Sequence, residues 1–375
     1  SGQIIHFFSL LLNRSIERLG HKMPETMKAA LLYGDEDIRY EDVEVPEVKA
    51  GMVKVRVRAC GICGSDVPRV FNKGAFYYPI ILGHEFSGEV VEVADDVTSV
   101  KVGDCVVGAP LVPCMKCDDC LRGDYASCKK YSFMGSKQSG AFCDYVVMPA
   151  VHAVKFDKNE ISFQQAAMFE PATVAIHGMF CANYQGGGQV AILGGGTIGL
   201  FALQWAKILG ADRVTVFDIN DERLEFLKGY GADHTINTTR EGFMEEAMGL
   251  TGGRGYDYVF ETAGQEATMK IAFHIAATKS SVCFIGTPHK DVTFDPVTWE
   301  LMNRKEFHLT GSWMSYSAPF PGREWPAVAH FLQQKKLRIN DDLIYKTYPM
   351  SQAQEAFMNF KSGPVAGKIL LLNED

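Results

Sequence analysis

Four cysteines stand close together in the segment CMKCDDCLRGDYASC. They are Cys114, Cys117, Cys120 and Cys128, with the spacing C-x2-C-x2-C-x7-C. Four thiolates at such spacing suit a closed tetrahedral zinc site, which stabilises a loop and leaves no coordination position open for chemistry. The main rival is an iron–sulfur cluster, but the last gap is too long for the bacterial ferredoxin run and no proline follows Cys128. We therefore predict a structural zinc lobe over residues 110–130.

A second motif, ILGGGTIG, sets three glycines between an apolar strand and a helix. The pattern G-x-G-x-x-G lets the backbone approach a dinucleotide pyrophosphate at the helix N-terminus. Asp218 ends the next strand, 19 residues past Gly199, where a carboxylate accepts hydrogen bonds from the adenosine ribose. Because a carboxylate repels a 2′-phosphate, the motif predicts NAD rather than NADP. The predicted cofactor contacts here are Gly194, Gly196, Thr197, Ile198, Gly199, Asp218 and Arg223.

Two alternatives remain for this motif. The glycines could form a turn in an α/β domain that binds no cofactor. Arg223 could pack over the adenine or be a solvated helix residue. The strand before the glycines and the helix after them favour the cofactor interpretation.

Further candidate metal ligands are dispersed along the chain. The segments CGICGSD, GHE and FEP supply Cys63, Ser65, Asp66, His84, Glu85 and Glu170. One thiolate, one imidazole and one carboxylate make a catalytic type of zinc site, with a fourth position left for substrate or water. Taken singly, a buried cysteine or an acid at a helix start has an ordinary structural explanation. Spacing alone does not bring these residues together.

The secondary-structure elements that must position these residues follow two different sequence patterns. Residues 27–154 contain short β-type runs separated by Gly and Pro, beginning with MKAALLYG. From about residue 187 to 313, continuously apolar strands alternate with helices, which predicts a parallel sheet covered on both faces. The tail, residues 315–375, contains two helices and a last strand, GKILLL, and should pack back on the first part. Residues 1–26 are interpreted as an N-terminal extension or tag remnant.

Composition limits the class of protein. The 375 residues are 47% hydrophobic, enough for two domains, and the net charge is −8. An acidic chain has no long-range attraction to nucleic acid or anionic membrane, so neither is expected as a partner. The apolar run at residues 4–13 lacks a basic leader and a cleavage site, so a secretory signal is not expected. Ten cysteines without an export signal favour metal binding in a reducing, cytoplasmic setting.

Taken together, these stretches carry a family resemblance. GICGSD, GHEFSG, the four-cysteine lobe, FEP and GGGTIG occur in the order typical of the zinc-dependent medium-chain dehydrogenases. The chain resembles that superfamily over residues 27–372, and its polyol dehydrogenase branch in particular. The resemblance implies a GroES-like, β-rich catalytic domain at residues 27–180 and 315–375. It also implies a Rossmann-type NAD-binding domain, a doubly wound parallel sheet, at residues 181–314.

The resemblance also implies roles for the dispersed residues. Cys63 and His84 would hold a catalytic zinc with a glutamate, Glu170 at rest and Glu85 close enough to exchange with it. Asp66 would orient His84, and Ser65 would pass the substrate proton outward. Gly286 and Thr287 would meet the nicotinamide. A homodimer or homotetramer is expected.

One departure from the family bears on the substrate. Many alcohol dehydrogenases carry a histidine three residues after the position of Ser65, whereas this chain has Pro68 followed by Arg69. The proton relay must therefore end on water or on another group. We expect a zinc- and NAD-dependent oxidation of a secondary alcohol in a polyol phosphate. The alternatives are an unphosphorylated substrate (sorbitol, xylitol, a butanediol or threonine) and a non-catalytic NAD- or zinc-binding protein.

Several residues have both a functional and an ordinary interpretation. Arg69, Lys73 and Lys137 are candidate phosphate-binding groups, or solvated surface charges. Tyr77, Trp313 and Tyr316 could line the cleft, or belong to the core or an interface.

Overall fold

The computed structural model describes residues 26–72, 74–363 and 365–373. The extension predicted at residues 1–26 therefore lies outside the described residues except for Thr26. Lys73, a candidate phosphate-binding group, also lies outside them.

The first part of the chain is built from short strands. MKAALLYG forms a strand as predicted, and MVKVRVRA alternates side chains between a buried and a half-exposed face. The strands are β1 (Thr26–Gly34), β2 (Asp37–Glu44), β3 (Met52–Gly61), β4 (Ile80–Ile81), β5 (Glu85–Val93), β6 (Cys105–Gly108), β7 (Leu111–Val112), β8 (Ser132–Phe133), β9 (Tyr145–Pro149) and β10 (Ala153–Lys155).

The tail returns to this part of the molecule, as expected. It adds β17 (Ile344–Pro349) and β18 (Lys368–Leu372), the latter being the predicted last strand. Within the described residues the main sheet has the order β10-β6-β5-β3-β18-β17, with β9 paired to β3. A smaller sheet has the order β2-β1-β4, and β7 pairs with β8 at the base of the four-cysteine lobe.

A parallel sheet forms the second part. Its strands are β11 (Gln189–Leu193), β12 (Arg213–Asp218), β13 (His234–Asn237), β14 (Tyr256–Glu261), β15 (Ala276–Phe284) and β16 (His308–Gly311). Their order in the described residues is β13-β12-β11-β14-β15-β16. The order reverses direction beside β11, and in open α/β sheets a ligand crevice lies at such a switch point, outside the carboxyl ends of the strands.

Helices connect and cover these strands. They are α1 (Val67–Phe71), α2 (Asp118–Arg122), α3 (Phe163–Ala166), α4 (Phe169–Cys181), α5 (Thr197–Ile208), α6 (Asp221–Gly229), α7 (Phe243–Leu250), α8 (Glu266–Ile275), α9 (Pro296–Lys305), α10 (Glu324–Gln333) and α11 (Ala353–Ser362). Local capping fixes several starts. Asn220 accepts a hydrogen bond from the Arg223 backbone N–H at 2.9 Å, and Asp295 precedes Pro296 at the first position of α9.

One segment departs from its sequence pattern, and two elements have no clear pattern. The run QEATMKIAFHIAAT has helical periodicity, but its helix ends at Ile275 and the remaining residues begin β15. Pairing of Tyr256 in β14 with Ala276 overrides the helical propensity of the two alanines there. The sequence analysis also missed α9 and β17, whose apolar residues are too few to give a clear periodicity.

One hydrophobic cluster joins the two parts. It contains Val107 and Leu111 from the β-rich part, Phe169 from α4, and Ile192 and Trp205 from the parallel-sheet part. Helix α4 packs on both α5 and α10. The β-rich and parallel-sheet parts therefore share a core along α4, the helix that carries Glu170.

Candidate active site and metal centres

The structure brings Cys63, His84 and Glu85 together. One ligand atom from each lies within 4.8 Å of the others. Cys63 follows β3 and His84 precedes β5, and these strands pair antiparallel with Gly61 opposite Glu85. The pairing therefore sets the two strand ends side by side. A thiolate, an imidazole and a carboxylate are the donor set of a catalytic zinc site, so these residues fit the predicted ion.

Gly83 holds the turn before His84. Its φ is +90°, and a Cβ there would lie 2.5 Å from the Phe142 ring. Only glycine adopts this conformation readily in so tight a space, so the GHE motif needs its glycine for steric reasons.

Lys368 is a site residue that the sequence analysis missed. Its Nζ lies 2.6 Å from Glu85 Oε2 and 2.8 Å from Oε1, and the two side chains are 6% and 1% exposed. Burial opposes the lysine charge, but Glu85 raises the pKa of Lys368 above its usual value, which favours the charged ammonium. Its only sequence signal is a lysine opening an apolar strand. The contact depends on the β18–β3 pairing, which local patterns do not reveal.

Glu170 lies outside the three-residue cluster. It stands in the first turn of α4, and burial raises the pKa of its carboxyl to about 7, against the opposing effect of His84. The prediction that Glu170 holds zinc at rest and exchanges with Glu85 stays a prediction.

Asp66 lies beside two members of the Cys63, His84 and Glu85 cluster. Its side chain is fully buried; Oδ2 accepts a hydrogen bond from the Cys63 backbone N–H at 3.1 Å, and Oδ1 lies 3.6 Å from His84 Nδ1. His84 Nδ1 is buried without a hydrogen-bond partner among the described residues. Asp66 thus faces the imidazole nitrogen that it was predicted to orient, at a distance too long for a hydrogen bond.

Arg69 occupies the place where the family's relay would continue. Its Nη1 donates to the backbone oxygen of Ser65 and, at 3.2 Å, to Ser65 Oγ. Ser65 Oγ in turn donates to Cys63 Sγ at 3.3 Å. The Arg69 side chain is 18% exposed, and its Nε is buried without a partner in the described chain, so it is not a solvated surface charge.

The four lobe cysteines form the second metal centre. Their sulfur atoms lie within 4.8 Å of one another, with Cys117 and Cys120 at 3.5 Å. Backbone N–H groups of Lys116 and Cys117 point at Cys114 and lower the pKa of its thiol to about 6. Amides aimed at sulfur stabilise thiolates, which are the form that binds metal. The lobe therefore fits a closed four-thiolate zinc site.

The glycine motif forms the predicted turn. Helix α5 begins at Thr197, inside the motif, and a Cβ on Gly199 would lie 1.8 Å from the Gly194 oxygen, so that glycine allows the close helix–strand approach. Asp218 Oδ2 accepts a hydrogen bond from the Gly195 N–H at 2.6 Å, which places the carboxylate at the loop. Ile198 is the second residue of the helix.

Arg223 lies at the glycine loop, whereas Gly286 and Thr287, the residues predicted to meet the nicotinamide, lie at the end of another strand. Arg223 is half-buried, lies over the Phe226 ring at 5.0 Å and donates through Nε to the Gly195 oxygen, so it packs against the glycine loop rather than extending into solvent. Gly286 and Thr287 follow β15; a Cβ on Gly264 would lie 2.5 Å from the Thr287 oxygen. The loop after β14, which contains Gly264, and the loop after β15, which contains Gly286 and Thr287, therefore meet at the carboxyl edge of these strands.

The remaining candidates for lining the cleft or binding phosphate differ in how far they are buried. Tyr316 is buried, accepts a hydrogen bond from the Leu111 N–H at 2.9 Å and stacks on Phe320, so it is a core residue. Tyr77 and Trp313 are 42% and 54% exposed. Lys137 is exposed, and its Nζ lies 3.6 Å from the centre of the Tyr131 ring.

Comparison with known proteins gives the family. The model of the alcohol dehydrogenase GroES-like domain matches residues 49–158, and that of the zinc-binding dehydrogenases matches residues 197–334. The chain belongs to the zinc-binding dehydrogenase family. The predicted family, the GroES-like plus Rossmann fold and the oxidoreductase class are confirmed.

Individual relatives show which zinc-binding dehydrogenases this chain is similar to. Galactitol 1-phosphate 5-dehydrogenase of Escherichia coli K12 is 36% identical over 347 residues, which cover 92% of this chain and all of that one. The crystal structure of the Escherichia coli galactitol-1-phosphate dehydrogenase superposes with a TM-score of 0.87 at the same identity and over the same shares of the two chains. Sorbitol dehydrogenase of Bacillus subtilis is 35% identical over 276 residues, 72% of this chain and 78% of its own.

A solved neighbour carries the cofactor. An alcohol dehydrogenase of Escherichia coli CFT073 in complex with NADH matches with a TM-score of 0.84 and 27% identity, covering 93% of this chain and 100% of its own. The prediction of zinc and nicotinamide cofactors agrees with these family relationships. In the part of the chain that the structure describes, no helix is long and apolar enough to cross a membrane.

Proposed function

We propose that this dehydrogenase oxidises a secondary alcohol of a polyol phosphate, with galactitol 1-phosphate as substrate and tagatose 6-phosphate as product. The observation that carries the proposal is the 36% identity to galactitol 1-phosphate 5-dehydrogenase over that relative's whole length. Cofactor and metal chemistry are shared across the family. Only the substrate distinguishes this proposal from a general polyol dehydrogenase.

The chain's own residues divide the work as follows. Zinc held by Cys63, His84 and a glutamate would supply a Lewis acid, and NAD would supply the hydride acceptor. Ser65 Oγ, 3.3 Å from Cys63 Sγ, receives the proton of the substrate hydroxyl and passes its own toward water. Asp66 faces His84 and keeps that ring in place.

Arg69 supports a phosphorylated substrate. Its Nη1 donates to Ser65 Oγ and lies 3.5 Å from Asp66 Oδ1, and its side chain is 18% exposed. A partly exposed guanidinium beside the reacting group suits a phosphate oxygen. Lys137 is a second candidate, although its ammonium already lies against Tyr131.

NAD is the proposed cofactor because of Asp218. Its carboxylate stands at the glycine loop and is held by the Gly195 N–H. The carboxylate can accept hydrogen bonds from both hydroxyls of the adenosine ribose, and it repels a 2′-phosphate. Arg223 lies under the same loop, where its carbon stem could support the adenine.

The substrate is tested by steady-state kinetics with galactitol 1-phosphate, galactitol and sorbitol. We expect the highest kcat/KM for the phosphate ester. A higher kcat/KM for sorbitol would overturn the substrate assignment and leave the dehydrogenase class intact. Arg69→Gln should raise KM for the phosphate ester much more than KM for galactitol, whereas Arg39→Gln, an exposed arginine paired with Asp37, should change neither.

A second substrate class has its own support. The sorbitol dehydrogenase relative is 35% identical, only slightly less than the phosphate-specific one, though over a shorter span. An unphosphorylated polyol, a diol or threonine is therefore the alternative that the same kinetic comparison decides.

The zinc requirement has a separate test. Dialysis against a chelator should abolish turnover, and added zinc should restore it. Full turnover by metal-free protein would contradict the mechanism, whereas absence of turnover even in zinc-loaded protein would favour a non-catalytic relative.

Assembly and location complete the proposal. We propose a homodimer or homotetramer formed through the nucleotide-binding part, whose edge strand β16 has its outer side unpaired among the described residues. Sedimentation velocity should give a mass of two or four chains of 41.5 kDa. A cytoplasmic location is proposed because five of the ten cysteines, Cys63 and the four of the lobe, lie in the two candidate metal centres, which need reduced thiols.

A further inference from the structure

A cluster of polar side chains lies at the far end of α4, away from the proposed zinc ligands. His177 Nδ1 lies 2.7 Å from Glu324 Oε1, and the other Glu324 oxygen accepts a hydrogen bond from Ser317 Oγ at 2.7 Å. Glu324 is completely buried and His177 is 16% exposed. A buried carboxylate on one ring nitrogen fixes the orientation of the imidazole and leaves its other nitrogen free.

Cys181 stands one helical turn after His177. Residues four apart on a helix share a face, so the thiol is placed at the ring edge opposite Glu324. Ser312, in the segment after β16, has an Oγ that is buried without a hydrogen-bond partner in the described chain and lies beside Gly178 of the same helix. His177 therefore contacts Glu324 through one ring nitrogen and has Cys181 one turn further along α4.

The electrostatics of this cluster favour an ion pair. Burial and the Glu324 charge oppose ionisation of Cys181, but the hydrogen bond and charge of His177, together with Ser312, lower the pKa of its thiol. Burial favours neutral His177, yet its contacts with Cys181 and Glu324 raise the pKa of the imidazole to about 9. Both shifts are in the direction that favours a thiolate beside an imidazolium.

Cys181 differs from the other cysteines outside the two metal centres. Cys60, Cys105, Cys143 and Cys283 are buried, and burial raises the pKa of each thiol. Cys181 is half-buried and therefore reachable by a small molecule. Reactive cysteines occupy partly exposed settings beside a cation, whereas fully buried ones are inert.

We propose that Cys181 is a nucleophilic thiol, activated by His177 and Glu324, and a site of modification by hydroperoxides. The thiolate sulfur attacks one peroxide oxygen, a sulfur–oxygen bond forms and the oxygen–oxygen bond breaks. Sulfur is oxidised by two electrons to a sulfenic acid, and the peroxide is reduced by the same two. The departing hydroxide of hydrogen peroxide, or the alkoxide of an organic hydroperoxide, takes the His177 proton and leaves as water or an alcohol.

The first test measures alkylation of the zinc-loaded enzyme by iodoacetamide, with the rate at Cys181 followed by peptide mass spectrometry. The midpoint of its pH profile should lie below about 8.5, the value of a free thiol. His177→Ala should move the midpoint upward and slow alkylation at pH 7 by about threefold or more, since loss of thiolate outweighs the gain in nucleophilicity. A wild-type midpoint at or above that of a free thiol, or one that His177→Ala leaves in place, would overturn the proposal.

Two further variants separate activation from unfolding. Glu324→Gln should shift the midpoint in the same direction, and its fold is checked by circular dichroism. His330→Ala removes an exposed imidazole from α10, the helix that also carries Glu324, and should leave the Cys181 midpoint unchanged. An equal shift in His330→Ala would show that the effect is not specific to the cluster.

Oxidation is tested directly with hydrogen peroxide and a dimedone trap. We expect the trapped adduct on Cys181, with its yield reduced in His177→Ala. An adduct found only on Cys63 or on the lobe cysteines would contradict the proposal.

Discussion

At the residue scale, the active site depends on side chains from distant parts of the chain. Cys63, His84 and Glu85 meet because β3 and β5 pair, and Lys368 reaches Glu85 because β18 joins the same sheet. The lysine ammonium contacts both Glu85 oxygens, so a zinc ion bound by that carboxylate would compete with it. Its positive charge compensates a buried negative charge when no ion is bound.

Lys368→Met should destabilise the metal-free protein. It leaves Glu85 buried and unpaired, which costs about 3 kcal/mol of unfolding free energy, while zinc should offset part of that loss. Urea denaturation of metal-free and zinc-loaded protein measures the loss of stability and the part of it that zinc offsets. Lys368→Arg, which keeps the charge, is the control, and adding Glu85→Gln to Lys368→Met should recover stability. Equal losses with and without zinc would contradict competition for the carboxylate.

Asp218→Asn should change cofactor preference. The amide keeps the shape and one acceptor oxygen but removes the charge that repels a 2′-phosphate. We expect the ratio of kcat/KM for NAD to that for NADP to fall by at least about tenfold, equivalent to 1.4 kcal/mol. Asp221→Asn, which changes an exposed carboxylate at the start of α6, should leave the ratio unchanged.

At the element scale, short irregular segments hold the functional groups while strands and helices fix their positions. The four-cysteine lobe is closed at its base by β7 and β8, and it has little regular structure beyond α2 and one 3-10 turn. Such a segment has too little apolar area to fold by burial alone, so its metal site supplies order.

Cys120→Ser should remove one zinc and loosen the lobe. Zinc content by atomic emission should fall from two ions to one per chain, matching the two ligand groups. Limited proteolysis should then cut within residues 110–130. Cys105→Ala, a buried cysteine outside both groups, should retain both ions. Unchanged zinc content in Cys120→Ser would contradict the assignment of the lobe.

His152 links β6 to the segment after β9 and gives stability a pH dependence. Its Nδ1 bonds the Ala109 oxygen at 2.8 Å, and burial lowers the pKa of the ring to about 4. Because the folded pKa is below the unfolded value near 6.5, the stability is present above pH 6.5 and lost as pH falls toward 4. Between pH 7 and 5 the wild type should lose about 2 kcal/mol more than His152→Gln. Parallel urea titrations check the difference; equal slopes would contradict it.

At the scale of the whole molecule, the two parts form one packed body along α4. The shared hydrophobic cluster extends from Val107 in β6 through Phe169 to Trp205 in α5. A helix that carries Glu170 and packs against both sheets fixes the cleft between them. Unfolding of one part should therefore expose the core of the other.

Phe169→Ala should weaken both parts together. Loss of a fully buried phenylalanine costs about 3–5 kcal/mol. Tryptophan fluorescence and far-UV circular dichroism should report one coincident transition in urea for the wild type, shifted as a whole in the variant. Val365→Ala, at a half-buried position, is the control. Two separated transitions would contradict a shared core.

The sequence by itself determined the local features. The four-cysteine spacing, the G-x-G-x-x-G turn with its acid, and most strands and helices follow from residue types and periods of two or 3.6, which act over a few residues. Tertiary structure decided what is joined across the chain: Cys63 with His84 and Glu85, Lys368 with Glu85, and Cys181 with Glu324 through His177. Those contacts arise from strand pairing and helix packing between distant segments, and no local pattern carries that information.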